Sequence, residues 1–410
     1  MKKTTLTITA LALAATTAVA MGHGGGHYHD HIHAKKVDID VRAVGTQSDI
    51  WGSTHPKTIN LFPPAKITFT DEKANELNDF REGQKASVQA IHNDGYITFR
   101  LKWEDPTYNS VDAKTLSNYQ FADGFAMQFP TDYSDPTSLP YIGMGDDNRA
   151  VIVHLQKAIR GVHEPDGHGD VKMQSNPRNL NLFEKEWEEF NQAVDNRGAT
   201  KYQRAFIAKG FRSTTQIKDR STDFHSNMRW IDGTWYATLT RVLNDDYLNL
   251  ADTFPVSFAV WDGEMLNRGG IKHIAAWTPV MLEGQNKDER LIGEINAVST
   301  GDVEKGKAEY MMHCTACHNN NEVSNAPYHM APNLSNIGGY TSLAYLKESL
   351  IDSSAVVVPG YNRNQYPNSP WYMLDADGNR MSTMPNYDWM SDEQIEDIAA
   401  YLQTLKGEVQ

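Results

Sequence analysis

Cysteine is almost absent, with two residues in 410. So few thiols exclude a disulfide-stapled scaffold, and stability must come from core burial. Two lone cysteines also fall short of the four ligands that a structural zinc site needs. Long apolar runs are missing beyond residue 20, where none approaches the ~20 residues that cross a bilayer. Excess positive charge is missing too: the formal net charge is −14. That balance argues against nucleic acid and acidic lipid as partners, and suits solubility or docking to a basic face. No G-x-S-x-G, Walker A, H-E-x-x-H or Rossmann fingerprint occurs, so no catalytic constellation is evident.

What is present begins at the amino end. Lys2 and Lys3 precede an apolar run from Leu6 to Val19 that closes on Ala18-Val19-Ala20. A positive n-region, an apolar h-region and a small-residue cleavage site predict a secretory signal over residues 1–20, not a membrane span. There is no twin arginine, so export in the unfolded state to the periplasm is expected. Residues 21–36 follow as a histidine-rich segment, with His23, His27, His29, His31 and His33 in alternation. It is expected to be a flexible terminus with incidental metal affinity; a functional transition-metal site is the alternative.

Both cysteines fall in Cys314-Thr315-Ala316-Cys317-His318. C-x-x-C-H is the pattern of covalent c-type haem attachment. Two intervening residues let both sulfurs reach the vinyl groups of one porphyrin, and the next residue carries its imidazole to the iron. A redox dithiol would need a βαβ context, which the surroundings lack. One haem c is therefore expected, on Cys314 and Cys317, with His318 as an iron ligand.

From about Val37 to Leu282 the pattern is that of strands. Ile97, Phe99, Leu101 and Trp103 alternate with polar residues, and Asn93-Asp94-Gly95 before them is a hairpin turn. Trp230 and Trp235 flank Asp232-Gly233, and Val256, Phe258 and Val260 alternate with Ser257, Ala259 and Trp261. Hairpin-linked strands without long intervening helices predict an antiparallel β-sandwich over residues 37–282. An insertion over about 163–202 breaks the pattern, with helical spacing from Phe183 to Val194.

Seven segments of this region, in order, resemble one family. They are Phe99 to Pro106, Asp123 to Pro130, Gly143-Met144-Gly145-Asp146, Ala208 to Phe211, Trp230 to Trp235, Phe258 to Gly263 and Lys272 to Trp277. Together they are similar to the haem-b-binding domain of the ethylbenzene dehydrogenase gamma-subunit family, whose relatives include subunits of dimethylsulfide dehydrogenase and of selenate and chlorate reductases. The resemblance implies a non-covalent haem b held by one methionine and one lysine, which map to Met144 and Lys272. A thioether is a soft ligand suited to ferrous iron, and a lysine amine binds only when deprotonated. His273 and Met127 are the competing ligands.

Residues 283–298 look like a polar linker, and residues 299–410 like a small all-α cytochrome c domain. Ser299 or Thr300 is expected to cap a helix running to His313, and Ser391 to cap a closing helix from Asp392 to Leu405. The domain resembles small class I cytochromes c. That resemblance implies a crossing of the two helices at Gly306, Tyr310 and Tyr401, a Pro332 carbonyl accepting the proximal imidazole N–H, and Met384 as the sixth ligand. Met381, Met390 and Met330 are its rivals.

The fold expected is therefore α+β and multidomain, a β-sandwich followed by a helical domain. A His/Met haem has no open position for substrate and should pass single electrons. The expected function is a dihaem (b plus c) relay between a partner oxidoreductase, a molybdenum enzyme of the dimethyl sulfoxide reductase type by family analogy, and another redox carrier. Two other functions stay open: a monohaem cytochrome fused to a ligand-binding sandwich, and a haem enzyme with one open iron.

Overall fold

The computed structural model describes residues 30–65, 72–78, 82–112, 121–160, 202–210, 213–217, 224–327, 330–357 and 371–410. The signal over 1–20, most of the histidine-rich segment, and the insertion over 163–202 apart from its last residue lie outside the described residues.

The N-terminal region is one long sheet folded back on itself into two layers. In the first hairpin the strands Gln84–His92 and Tyr96–Glu104 pair around Asn93, whose Oδ1 accepts the Gly95 and Tyr96 amides at 3.0 and 2.9 Å. In the second, Phe224–Ile231 and Thr234–Val242 meet at a two-residue loop, with Asp232 at φ 46° and Gly233 at φ 81°. Both central residues need positive φ in a type I′ turn, which is why Asp-Gly sits there. Among the described strands the pairings are antiparallel except those of one strand in the sandwich and a short side pair.

That strand, Ile32–Lys36, corrects an expectation. The flexible segment foreseen through residue 36 ends early, because Ile32 and Ala34 are fully buried. The strand lies parallel to Thr278–Leu282 on one side and to Gln84–His92 on the other, tying the two layers together.

Alternate residues of each layer fill the space between them. Phe125, Met127 and Phe129 meet Phe254, Val256 and Phe258, with Phe99, Trp103, Trp235 and Leu239 from the facing layer. The other face of the first layer is apolar as well: Ala126, Val153, Leu155, Phe206, Ala259 and Trp261 form a second cluster. Hence Gly124–Pro130, Val151–Lys157 and Thr253–Trp261 are buried at every position. A sheet covered on both faces loses the polar half of its alternation.

The second cluster runs on into the C-terminal domain, where it includes Tyr310, Cys314, Tyr340 and Tyr401. Here the segment foreseen as a plain linker carries the helix Glu289–Ile295, capped by Asp288 and seated on Leu291 and Ile292. The helix Val303–His313 is capped by Asp302, not Ser299 or Thr300; its carboxylate accepts from the Glu304 and Lys305 amides. Ser299 is used elsewhere, its hydroxyl bonding the carbonyl and carboxylate of Glu396. The closing helix Asp392–Thr404 has the expected Ser391 cap, completed as a capping box by Gln394. The two helices cross at Gly306, where a Cβ would lie 1.8 Å from the Asp397 carbonyl oxygen. Tyr310 and Tyr401 pack beside that crossing, ring centroids 5.2 Å apart. A two-stranded ribbon, Tyr372–Leu374 with Arg380–Ser382, adds to the helices.

Backbone and side chains join the domains at several points. The Ala65 amide donates to the Tyr340 hydroxyl at 3.2 Å, and the Asn336 side chain to the Pro63 carbonyl at 3.2 Å. Gly83 exchanges backbone hydrogen bonds with Glu408 and Gln410.

Candidate cofactor sites

The helix Val303–His313 delivers the Cys-x-x-Cys-His segment to the wall of a cavity of about 510 Å³. That lies inside the range of roughly 300–1,000 Å³ common for cofactor pockets. Cys314, Cys317, His318, Pro332 and Met384 all line it. The helix ends there because Cys314 is its cap and the chain turns immediately: the Cys317 and His318 amides both donate to the Cys314 carbonyl. Burial, with Cys317 beside it, pushes the Cys314 thiol up to about 12. A redox dithiol needs a lowered thiol pKa, so that alternative fits poorly.

His318 is set for metal binding. Its Nδ1 lies 2.8 Å from the Pro332 carbonyl, the contact that the cytochrome resemblance implies, and this bond orients the ring. A carbonyl accepts only, so Nδ1 carries the proton and Nε2 is the nitrogen left for a metal. Burial lowers the imidazole pKa, with the Pro332 carbonyl opposing, and this favours the neutral ring that a metal requires.

The methionine rivals separate by position. Met384 is partly buried against the core and stapled at both ends: its amide donates to Ser382 Oγ, and its carbonyl accepts from Ser353 Oγ at 2.6 Å. Met381 sits opposite Met373 on the ribbon, and both are exposed while their neighbours Tyr372 and Ser382 line the cavity. Met390 is buried in the core away from the cavity lining, and Met330 stands at the rim, 39% exposed. The residues present therefore fit a haem carried on two thioethers between an imidazole and a thioether.

The second group of residues borders the outer apolar face of the first sheet layer. Met144 has φ 75°, followed by Gly145 at 79°. A non-glycine residue in that region is uncommon and carries strain of about 1–3 kcal/mol, which persists at functional positions. The conformation is fixed by the Gly145 amide donating to Tyr141 and the Gly210 amide donating to the Met144 carbonyl, at 2.8 and 2.7 Å. Lys272 is 7% exposed, its Nζ 5.4 Å from the centroid of the Trp261 ring. Burial, and Lys157 nearby, push its pKa down to about 8, so the free amine is within reach near neutral pH. His273 next to it is pushed down to about 4 by burial, and Met127 faces the core between the layers rather than this face.

Lys157 was missed by the sequence reading. Its Nζ also lies 5.4 Å over Trp261, so two buried amines flank one indole. The signal was available: Lys157 shares the apolar register of Val151, Val153 and Leu155, where a charge is out of place. Met144 packs against the apolar cluster to which Trp261 belongs, so the thioether and the two amines border one apolar face, the donor set that a non-covalent haem would need.

A family model for ethylbenzene dehydrogenase matches residues 34–273. The chain belongs to the ethylbenzene dehydrogenase family. A second model, for cytochrome c, matches residues 303–406, so this ethylbenzene dehydrogenase-family chain carries a cytochrome c domain behind its sheet domain. Among curated proteins it is similar to the chlorate reductase subunit gamma of Ideonella dechloratans, 29% identical over 240 residues that cover 57% of this chain and 76% of that protein. It is also similar to a putative respiratory nitrate reductase heme subunit of Haloferax mediterranei, 25% identical over 195 residues, 46% of this chain and 53% of that one. A carbohydrate-binding module of family 9 from Caldicellulosiruptor kristjanssonii, in complex with glucose, aligns at 10% identity and a TM-score of 0.29, covering 63% of this chain and 97% of that one. No helix among the described residues is long and apolar enough to cross a membrane.

Proposed function

We propose that this chain is an exported, periplasmic dihaem electron-transfer protein. It would relay single electrons between a partner oxidoreductase, a molybdenum enzyme of the dimethyl sulfoxide reductase type, and another redox carrier. One observation carries the reading: His318 and Met384 border the same cavity as the two cysteines. A haem held between these two side chains would have no open position for substrate, and the methionine would raise its potential. Met144 and Lys272 beside the apolar sheet face support a second, non-covalent haem, which these two side chains would hold. The relatives named for chlorate and nitrate reductases support a place in a reductase complex. The apolar run before Ala20 supports export.

Haem stoichiometry by type tests the proposal. Intact mass and pyridine haemochrome analysis should give one covalent and one extractable haem per chain. Met144→Ala and Lys272→Ala should each lose or respectrum the extractable haem while leaving the covalent one unchanged, and Lys157→Ala should retain iron ligation with weaker retention of the group. A single covalent haem, with Met144→Ala and Lys272→Ala spectrally silent, would remove the second site. Carbon monoxide binding to the native reduced protein would point to an enzyme with an open iron instead.

A further inference from the structure

The loop between the strands Gly124–Pro130 and Val151–Lys157 touches both candidate sites. It presents Met144 to the sheet face, and three residues earlier its Tyr141 lines the cavity of the cytochrome domain. Tyr141 is 5% exposed and packs on Tyr345, ring centroids 5.4 Å apart at 34°. Tyr345 lines the same cavity and belongs to the helix Leu343–Ile351.

The loop is held tightly. The Asp146 carboxylate, 1% exposed, accepts from the Tyr141 amide at 3.2 Å and from Arg149 Nε at 3.1 Å. The Arg149 guanidinium then reaches across, with both Nη1 and Nη2 at 3.1 Å from Glu348 Oε2, and Nη2 also donates to the Ala355 carbonyl. Glu348 lies three residues after Tyr345, on the same helix face. The Trp277 indole and the Gln128 amide pin the Pro140 and Ile142 carbonyls on the sheet side, at 3.0 and 2.6 Å.

We propose that Tyr141 is a residue of the covalent haem site supplied by the neighbouring domain, and that the Asp146–Arg149–Glu348 clamp seats it there. The haem cavity of the cytochrome domain is then incomplete without the sheet domain, and the potential of its iron is set partly from outside that domain. The inference rests on the covalent-haem part of the proposed function and does not need the second haem. Its physical basis is solvent exclusion. A buried aromatic ring keeps water from the cavity, and water favours the more highly charged ferric state.

The test uses the full-length protein with its covalent haem, titrated spectroelectrochemically. Tyr141→Ala should lower the haem c potential, and Tyr141→Phe should restore it, because the ring rather than the hydroxyl fills the space. Glu348→Gln, which leaves the Asp146–Arg149 pair intact, should shift the potential in the same direction by a smaller amount. Lys347→Gln, which breaks only the Lys347–Glu396 pair inside the cytochrome domain, should not move it. Wild-type potentials in both Tyr141→Ala and Glu348→Gln, with haem mass retained, overturn the inference. Should Tyr141→Ala fail to fold, Glu348→Gln decides alone. An intact mass without haem in the wild type would instead overturn the covalent-haem reading beneath it.

Discussion

At the scale of single residues, the cytochrome site was open to inspection in the sequence because its chemistry is local. Cys314, Cys317 and His318 fall within five positions, and their spacing is itself the geometric requirement. The Pro332 carbonyl and Met384 lie further along, and only the resemblance to class I cytochromes c pointed to them; the structure brings both to the cavity of the two cysteines. Lys157 shows the opposite case. Its own neighbourhood marks it only as a charge in an apolar register; its meeting with Lys272, 115 positions later, on the same indole appears only in the fold. The methionine ligand gives the sharpest test at this scale. Met384→His should lower the haem c potential and abolish the methionine-to-iron charge-transfer band, whereas Met381→Ala should leave both unaltered; redox titration and near-infrared absorbance read the difference. Loss of the band in Met381→Ala would exchange their roles.

At the scale of elements, pattern and propensity located most strands and both main helices, and failed where tertiary packing overrode them. Asp232-Gly233 announced its hairpin because both backbones there have positive φ, and Asn93-Asp94-Gly95 because the Asn93 side chain closes the turn. Ile32–Lys36 was concealed by the histidines around it, since a five-residue strand has too few positions to display a period. The cap at Asp302 was displaced from Ser299 because that hydroxyl serves the closing helix instead. The helix crossing is the element-scale feature most exposed to perturbation. Gly306→Ala would drive a methyl group into the Asp397 carbonyl, and neither backbone can yield without parting the helices. A destabilisation of about 3 kcal/mol or more is expected, read by chemical denaturation at the haem absorbance. An unfolding midpoint like that of the wild type would mean that the crossing is looser than its geometry implies.

At the scale of the whole molecule, the two domains share a core that neither completes alone, and charge is placed to match. Arg149 and Arg380 reach from opposite domains to Glu348 and Asp147 respectively. At the far end of the sandwich, Asp105, Asp123 and Asp262 bring carboxylate oxygens within 4.8 Å of one another. Burial, and then repulsion from a neighbouring aspartate, push Asp123 up to about 7 and Asp105 up to about 6. An acid raised in this way keeps its proton in the folded protein at a pH where the unfolded chain has lost it. Stability should therefore fall as pH rises from 3.8 to about 7, with the full cost present above that range. Asp105→Asn should flatten this slope and raise stability at pH 8 by on the order of 2 kcal/mol, measured as thermal unfolding across the series. Parallel slopes in mutant and wild type would rule out these carboxylates as the cause.

The strand Ile32–Lys36 has a consequence for how the molecule comes into being. One of its neighbours, Gln84–His92, is made soon after it, but the other, Thr278–Leu282, is separated from it by more than half the chain. Pairings of such long sequence separation are slow to form, because the chain must surrender its freedom before the contact rewards it. The sandwich cannot shut until residue 282 has been synthesised and delivered. Until then its apolar edges are open to proteases and to helpers that hold nascent chains.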